Sequence, residues 1–406
     1  MSSNLNVADV FGGVGTTALS GMASAAVTEV RSLEYSPFAR FVGETKVSWP
    51  QLDPDQLRRQ MKSALDYDHQ REVSFPSLST FGRPEVFTRP RLRALLAARD
   101  HLRELPGASS LEKRFFLLGL ASVTEDLSGA MKDGRALRIK GDRSRRPSSL
   151  AGTDPGFQVD GPVKRALAGQ WTAMVDDLEA VAGRRADAAA TTVHHLQGDA
   201  RQLQSVQLND GRAAFLKEWA DLSLFSPPYL NCIDYTELYK LELWLLEHIL
   251  DEDSFKRTRL GTLRSHPSVR FPETSHLAGR NGTVIKLIEG ISSWMTKESR
   301  RPATGVVVLQ YFEDMFKVFE GQHRLLRPGA AAVCVVANST FSRREKGPDG
   351  GWEEKWRLPV LTDVVLAHLA LLAGFDSVEI LDARELRPRN VKNGRARESL
   401  VVATKG

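Results

Sequence analysis

The sequence predicts an α/β fold whose sheet is interrupted by a mostly helical insertion. Short apolar segments alternate with helix-like segments at both ends of the 406-residue chain. A glycine-rich turn follows the first of these apolar segments, and Asp53 to Ala190 has helical periodicity without a convincing strand. We therefore expect one α/β domain in two parts, residues 1–52 and 191–406, around an insertion at residues 53–190.

The first part has the pattern strand, turn, helix, strand. Asn4 to Val10 is a strand candidate, and the glycine-rich turn Phe11-Gly12-Gly13-Val14-Gly15-Thr16-Thr17 comes next. A helix of small residues at Ala18–Ala26 then leads to a second strand at Val27–Leu33, which ends in Glu34. This order is half of a nucleotide-binding α/β unit.

The insertion has three apolar stripes at helical spacing, which predict helices over Arg91–Leu105, Leu111–Leu127 and Gln170–Ala189. Arg143 to Pro162 is rich in Arg, Ser, Gly and Pro, so we expect a loop or linker there.

Strands and helices alternate again after the insertion. The predicted strands are Thr192–Leu196, Leu222–Phe225, Ala331–Ala337, Val378–Leu381 and Ser399–Ala403. The predicted helices are Phe312–Leu326, stopped by Arg327-Pro328-Gly329, and Asp363–Ala373. Asp251 to Arg301 is interpreted as a mobile substrate loop or a surface excursion.

The composition is that of an ordinary globular protein with a small positive charge. Apolar residues make up 42% of the chain, the formal net charge is +5, and two cysteines cannot build a disulfide framework or a four-ligand zinc site. His194 and His195 lack suitably spaced partner ligands, so we expect strand-edge residues and no metal. No signal peptide or membrane-spanning run is evident, which favours a cytoplasmic protein.

Polar groups follow three of the predicted strands. The turn containing Gly13 and Gly15 lets a ligand approach the backbone closely, although such turns as often only connect a strand to a helix. Glu34 is placed to accept hydrogen bonds from ribose hydroxyls, or it is an ordinary exposed Glu. Asp199 either accepts from an exocyclic adenine amine or caps a turn.

The most specific motif is Ser226-Pro227-Pro228-Tyr229 at the end of a predicted strand. Its two prolines stiffen the turn, so the Ser226 side chain and the Pro227 carbonyl are expected to point into a cleft. These acceptors suit an amino group on a planar ring, and Tyr229 offers a face on which that ring stacks.

These motifs together resemble those of S-adenosylmethionine-dependent DNA amino-methyltransferases, which methylate cytosine N4 or adenine N6. The glycine turn from Asp9 to Thr17 resembles their cofactor motif, Glu34-Tyr35-Ser36-Pro37 their acidic motif, and Ser226–Tyr229 their catalytic motif. Asp199 matches the acid beside the adenine, and Ala337-Asn338-Ser339 and Ile380–Arg384 resemble later strand motifs. Val86–Leu92 resembles a segment of some bacterial DNA methylases.

The resemblance implies a Rossmann-like class I methyltransferase sheet with S-adenosyl-L-methionine as cofactor. The residues expected to bind the cofactor are Asp9, Phe11, Gly13, Gly15, Thr16, Glu34 and Asp199. The residues expected to be catalytic are Ser226, Pro227, Pro228 and Tyr229. A serine at the first position of the catalytic motif favours cytosine N4, and bacterial restriction, epigenetic or phage-defence roles are implied.

The implied reaction is direct methyl transfer to a DNA base that is flipped out or single-stranded. Cytosine C5 chemistry needs a thiolate beside the turn, whereas Tyr229 occupies that place and Cys232 lies three residues further on. Adenine-N6 methylation, RNA-base methylation and a cofactor-binding subunit that is active only with a partner stay as alternatives.

The chain departs from the family pattern in two places. Val10 replaces the usual Pro, and only a few residues precede the glycine motif, where the family has a cofactor-facing segment. We therefore expect the methionine end of the cofactor to be covered by the insertion, the C-terminal part or a partner protein.

Arginine and lysine are clustered rather than evenly spread. The densest cluster, for which we expect contact with nucleic-acid phosphates, is Arg135, Arg138, Lys140, Arg143, Arg145 and Arg146. Smaller clusters are Arg89, Arg91 and Arg93, and Arg343, Arg344 and Lys346. A solvated charged face is the alternative for each of them.

Overall fold

The computed structural model describes residues 4–80, 83–133, 137–139, 161–231, 233–272, 277, 280, 282–386 and 396–406. Its centre is a seven-stranded sheet, so the predicted α/β class is confirmed. The strands of this sheet are β1 (Leu5–Asp9), β2 (Val27–Glu34), β5 (Thr192–Gln197), β6 (Ala220–Phe225), β7 (Leu326–Ala337), β10 (Ser377–Leu386) and β11 (Ala396–Thr404).

The strand order across the sheet is β10-β11-β7-β6-β1-β2-β5. Strands β5, β2, β1, β6 and β7 pair in parallel, while β11 is antiparallel to both β7 and β10. The chain proceeds outward on one side of β1 through β2 and β5, and on the other side through β6 and β7. This reversal opens a crevice at the carboxyl ends of β1 and β6, where ligands bind in open α/β sheets.

Helices cover the sheet and build the insertion. The helices that belong to the two outer parts of the chain are α1 (Thr16–Met22), α2 (Pro37–Val47), α8 (Tyr235–Leu238), α9 (Lys240–Leu245), α10 (Glu252–Gly261), α11 (Thr283–Glu298), α12 (Ala303–Leu325) and α13 (Thr362–Leu372). Those of the insertion are α3 (Pro54–Leu65), α4 (Arg89–Arg103), α5 (Ser110–Leu127), α6 (Pro162–Ala180) and α7 (Arg185–Ala190).

The insertion is less purely helical than the sequence predicts. A short antiparallel hairpin joins β3 (Ala130–Lys132) to β4 (Leu137–Ile139). The predicted helix over Gln170–Ala189 is divided, because α6 ends at Ala180 and α7 follows a 3-10 turn. Strands of three residues cannot be predicted from hydrophobic periodicity, because they are too short to show alternation.

Two expectations for the C-terminal part are wrong. Asp251 to Arg301 is not a simple loop, because it contains α10 and α11. Arg327-Pro328-Gly329 does not separate a helix from a strand, because β7 already starts at Leu326. Gly329 instead donates its N–H to the Lys405 carbonyl at 2.7 Å, which holds the end of the chain against β7.

A second hairpin, β8 (Ser339–Lys346) with β9 (Trp352–Val360), was not predicted.

Two large clusters of buried apolar side chains support this arrangement. One packs α12 and α13 against the sheet, with Phe312, Phe316 and Phe319 fully buried. The other lies among the insertion helices around Trp171, and it also takes in Leu241 to Leu246 from the α9 region. The division at residues 52 and 190 stays a prediction, since the second cluster joins side chains from both sides of it.

Among the helices in the described part of the chain, none is long and apolar enough to cross a membrane.

Candidate active site

The turn after β1 is shaped by glycines in left-handed backbone conformations. Gly13 and Gly15 have φ values of +51° and +86°, which residues with a side chain adopt only with strain. Asp9, at the end of β1, is buried and accepts the Phe11 N–H at 3.0 Å. Thr16 begins α1 directly after the turn. The glycine positions noted in the sequence are therefore required by the backbone geometry.

Glu34, at the end of β2, holds the glycine turn in place. Its two carboxylate oxygens accept the Gly13 N–H at 2.8 Å and the Ser36 N–H at 2.7 Å. Burial raises the pKa of Glu34 to about 7, although these two hydrogen bonds act to lower it. Burial also raises the pKa of Asp9 to about 6. Two carboxyl groups with raised pKa values thus lie at the adjoining ends of β1 and β2.

Asp199, after β5, has a structural and a cavity-facing role. It caps the 3-10 helix Ala200–Ser205 by accepting the Arg201 N–H at 2.9 Å, as the capping interpretation expected. Its carboxylate also forms a bidentate ion pair with the Arg201 guanidinium at 2.7 and 2.8 Å. Arg201 bonds in turn to the Gly261 carbonyl and to the buried carboxylate of Asp314. Arg201 therefore orients Asp199.

The Ser-Pro-Pro-Tyr motif follows β6 and is held from β7 and β11. The exposed Ser226 hydroxyl donates to the Val335 carbonyl at 3.2 Å, which leaves its oxygen lone pairs as acceptors. The Tyr229 hydroxyl donates to Glu398 Oε1 at 2.6 Å. Burial and the hydrogen bond to Glu398 raise the pKa of Tyr229, so the phenol stays protonated.

A cavity of about 280 Å³ lies at the carboxyl ends of β1, β2 and β6. The predicted site residues that line it are Phe11, Gly13, Glu34, Asp199, Ser226 and Pro228. The structure thus brings together side chains that lie up to 217 positions apart in the sequence. The other predicted cofactor and catalytic residues are not among those that line the cavity: Asp9, Gly15, Thr16, Pro227 and Tyr229.

Two further segments line the cavity. Sequence reasoning missed Ile233–Tyr239, whereas Gly261–Phe271 lies within Asp251–Arg301, for which a substrate loop was one of the two interpretations. Residues of Ile233–Tyr239 and of Gly261–Phe271 line the same cavity as the glycine turn. The buried carboxylate of Asp234 ties the first segment to the second, because it accepts from Ser268 Oγ at 2.7 Å and from Arg259 Nη2 at 2.6 Å. Burial acts to raise the pKa of Asp234, but hydrogen bonds and the Arg259 charge lower it to about 2.

His195 lies behind the glycine turn. It sits on β5, which is an edge strand as expected, and its ring contacts the place where a side chain at Gly43 or Gly12 would stand. Burial lowers the pKa of His195 to about 4, so the ring is neutral at pH 7. Within the described residues, no group of His, Cys, Asp and Glu side chains is arranged to hold a metal ion.

The densest basic cluster falls mostly outside the described residues. Its members outside the described residues are Arg135, Lys140, Arg143, Arg145 and Arg146. Cys232 also lies outside the described residues. Arg138 is described, on β4, where it is exposed and pairs with Asp133. Arg343 on β8 pairs with Glu345, while Arg89 lies over the Phe75 ring at 4.7 Å.

Comparison with known proteins adds little to this geometry. No protein-family model matches the chain, and no curated protein matches it. Among solved structures, the chain is similar to one titled as a SAM-dependent methyltransferase from Methanosarcina mazei, at 9% sequence identity and a TM-score of 0.30, covering 100% of this chain and 94% of that one. A likeness this weak supports no inference about the chain, so the cavity and its residues carry the functional conclusion.

Proposed function

We propose that the chain is an S-adenosylmethionine-dependent DNA methyltransferase that acts on an exocyclic base amine, with cytosine N4 as the favoured target. One observation carries the proposal: a single cavity joins the glycine turn, the acidic end of β2 and the serine of the Ser-Pro-Pro-Tyr motif. In an open α/β sheet, such ligands bind at the carboxyl ends of the strands, at the point where the strand order reverses.

The described residues of the cavity fit the cofactor. Each Glu34 oxygen already accepts one N–H, and a carboxylate has about four lone-pair sites, so acceptors remain for two ribose hydroxyls. Asp199 offers an acceptor for the adenine amine from an orientation fixed by Arg201. Phe11 and Tyr35 supply apolar faces in the same cavity. The methionine end would lie against Ile233–Tyr239, which belongs to the C-terminal part of the chain.

The cofactor, when bound, supplies a methyl group on a positively charged sulfur. The chain's own residues have to hold the target amine in line with that methyl group. Ser226 donates its proton to the Val335 carbonyl, and a lone pair of its oxygen would accept a hydrogen bond from the amine. In the family pattern the Pro227 carbonyl is the second acceptor. The amine lone pair is delocalised into the ring, and two such bonds would draw it toward the methyl group by positioning and electrostatics.

The base is held by stacking rather than by a covalent bond. Tyr229 directly follows the two prolines, and its neutral phenol is unsuited to the nucleophilic role that a thiolate plays in C5 methylation. A base inside a duplex is out of reach, so the target must be flipped out or single-stranded. Arg138 and its neighbours in the sequence are proposed as phosphate contacts, which would make binding salt-dependent.

The test is methyl transfer by the full-length chain. Purified protein is incubated with methyl-labelled S-adenosylmethionine and genomic DNA, and the digested nucleosides are identified by mass spectrometry. We expect N4-methylcytosine, lost in Ser226→Ala and kept in Ser293→Ala, an exposed serine of α11. N6-methyladenine would move the assignment to adenine. Label in RNA but not in DNA would overturn the proposal.

A further inference from the structure

Glu398 lies at the start of β11, 169 positions from Tyr229, yet the two side chains are in contact. Strand β11 runs antiparallel to β7, and Glu398 is paired with Ala337 at the carboxyl end of β7. The antiparallel direction therefore brings the beginning of β11 to the same edge of the sheet as the catalytic motif. Glu398 is 7% exposed, so its carboxylate needs partners.

Both oxygens of the Glu398 carboxylate are engaged. Oε1 accepts from the Tyr229 hydroxyl at 2.6 Å, and Oε2 accepts from Arg384 Nε at 2.6 Å. The Arg384 side chain is 67% exposed and neutralises the acid from the solvent side. A short bond between a phenol and a carboxylate is a charge-assisted hydrogen bond, which is stronger than a neutral one. The Tyr229 ring is thus fixed at its hydroxyl end as well as at its backbone.

We propose that Glu398 is a positioning residue for the target base and acts by holding the Tyr229 ring in the orientation in which it stacks. This inference rests on the proposed function. A stacking platform is effective only when it is pre-organised, because a ring free to rotate must be immobilised again in every complex. The anchored ring sets the plane of the base, and Ser226 then meets the amine at the edge of that plane.

Three substitutions separate the effect of the hydrogen bond from that of the Glu398 charge. Glu398→Gln keeps an acceptor for the Tyr229 hydroxyl, while Glu398→Ala removes it, and Tyr229→Phe removes the donor but keeps the ring. We expect kcat for methylation to fall about 10- to 100-fold in Glu398→Ala and Tyr229→Phe, the range for a lost hydrogen bond to a charged group. Glu398→Gln should stay within a few-fold of the wild type.

A double-mutant cycle shows whether the two residues act through each other. If they do, Tyr229→Phe combined with Glu398→Ala costs no more than either change alone. The dissociation constant for S-adenosylmethionine, measured by calorimetry, should not change in any of these variants, whereas a merely structural role would change it. Glu379→Ala, an exposed acid on β10, is the matched control and should retain full kcat.

Each outcome decides between the alternatives. Equal losses in Glu398→Gln and Glu398→Ala would assign the effect to charge and overturn the positioning role, as would additive losses in the cycle. Full activity of Glu398→Ala would overturn the inference alone and leave the proposed function intact. Absence of DNA methylation by the wild-type chain would instead overturn the proposed function.

Discussion

Cofactor affinity should depend on pH through Glu34. The carboxylate form accepts hydrogen bonds from ribose hydroxyls. The protonated form has fewer acceptor sites, and its own O–H points a hydrogen at those hydroxyls. Because burial raises the pKa of Glu34 to about 7, roughly a tenth of the side chains are ionised at pH 6 and roughly nine tenths at pH 8. The dissociation constant for S-adenosylmethionine should therefore fall about tenfold between these two pH values.

Glu34→Gln isolates this effect from other titrating groups. The amide is neutral at every pH, so we expect the affinity of this variant not to vary with pH and to be more than about tenfold weaker than that of the wild type at pH 8. Asp9, with a pKa of about 6, titrates in the same window but is not among the cavity-lining residues, and it is unchanged in the variant. Glu289→Gln, at an exposed position on α11, is the control and should keep the wild-type profile.

The stability of the protein without ligand should change in the opposite direction. The folded-state pKa of Glu34 lies above its ordinary value of 4.5, so the folded state binds the proton more tightly than the unfolded state. This stabilisation is fully present below about pH 4.5 and is lost as the pH rises through about 7. Isothermal titration calorimetry and urea denaturation from pH 5.5 to 8.5 measure both effects. A wild-type affinity that does not vary with pH, or a Glu34→Gln variant that keeps the slope, would refute this reasoning.

Four substitutions, two of them at exposed positions, test the packing by urea denaturation. In Gly43→Ala, the new Cβ would lie 2.3 Å from Nε2 of the buried His195, so we expect a loss of about 1–3 kcal/mol and weaker cofactor binding. Gly290→Ala, with open space on the exposed face of α11, should stabilise the protein by about 0.5–1 kcal/mol. Asp314→Asn removes the fully buried carboxylate that pairs with both Arg201 and Arg264 and should cost about 3 kcal/mol, whereas Asp176→Asn, in an exposed ion pair, should cost less than about 1 kcal/mol. Equal effects of the two Asp→Asn changes, or an unaffected Gly43→Ala, would contradict the packing described here.

The strand alternation and the glycine turn could be predicted because they depend on local chemistry. Strand β2 was predicted over Val27–Leu33 and is observed over Val27–Glu34, since its apolar run and its terminal acid are both visible in the sequence. The left-handed conformation of Gly13 and Gly15 is likewise a property of the residue type. The short hairpin from β3 to β4 was missed because strands of three residues have too little pattern.

The residues that hold the candidate site together were decided by the tertiary structure. By itself, the sequence determined the α/β class, the polar residues at three strand ends and the Ser-Pro-Pro-Tyr turn. It gave no indication that Glu398 would anchor Tyr229, that Arg201 would orient Asp199, or that Asp234 would accept a hydrogen bond from Ser268 and so join two cavity-lining segments. Long-range pairs depend on which strand ends meet at the sheet edge. That meeting is set by strand order and by the antiparallel direction of β11, which only the packed structure determines.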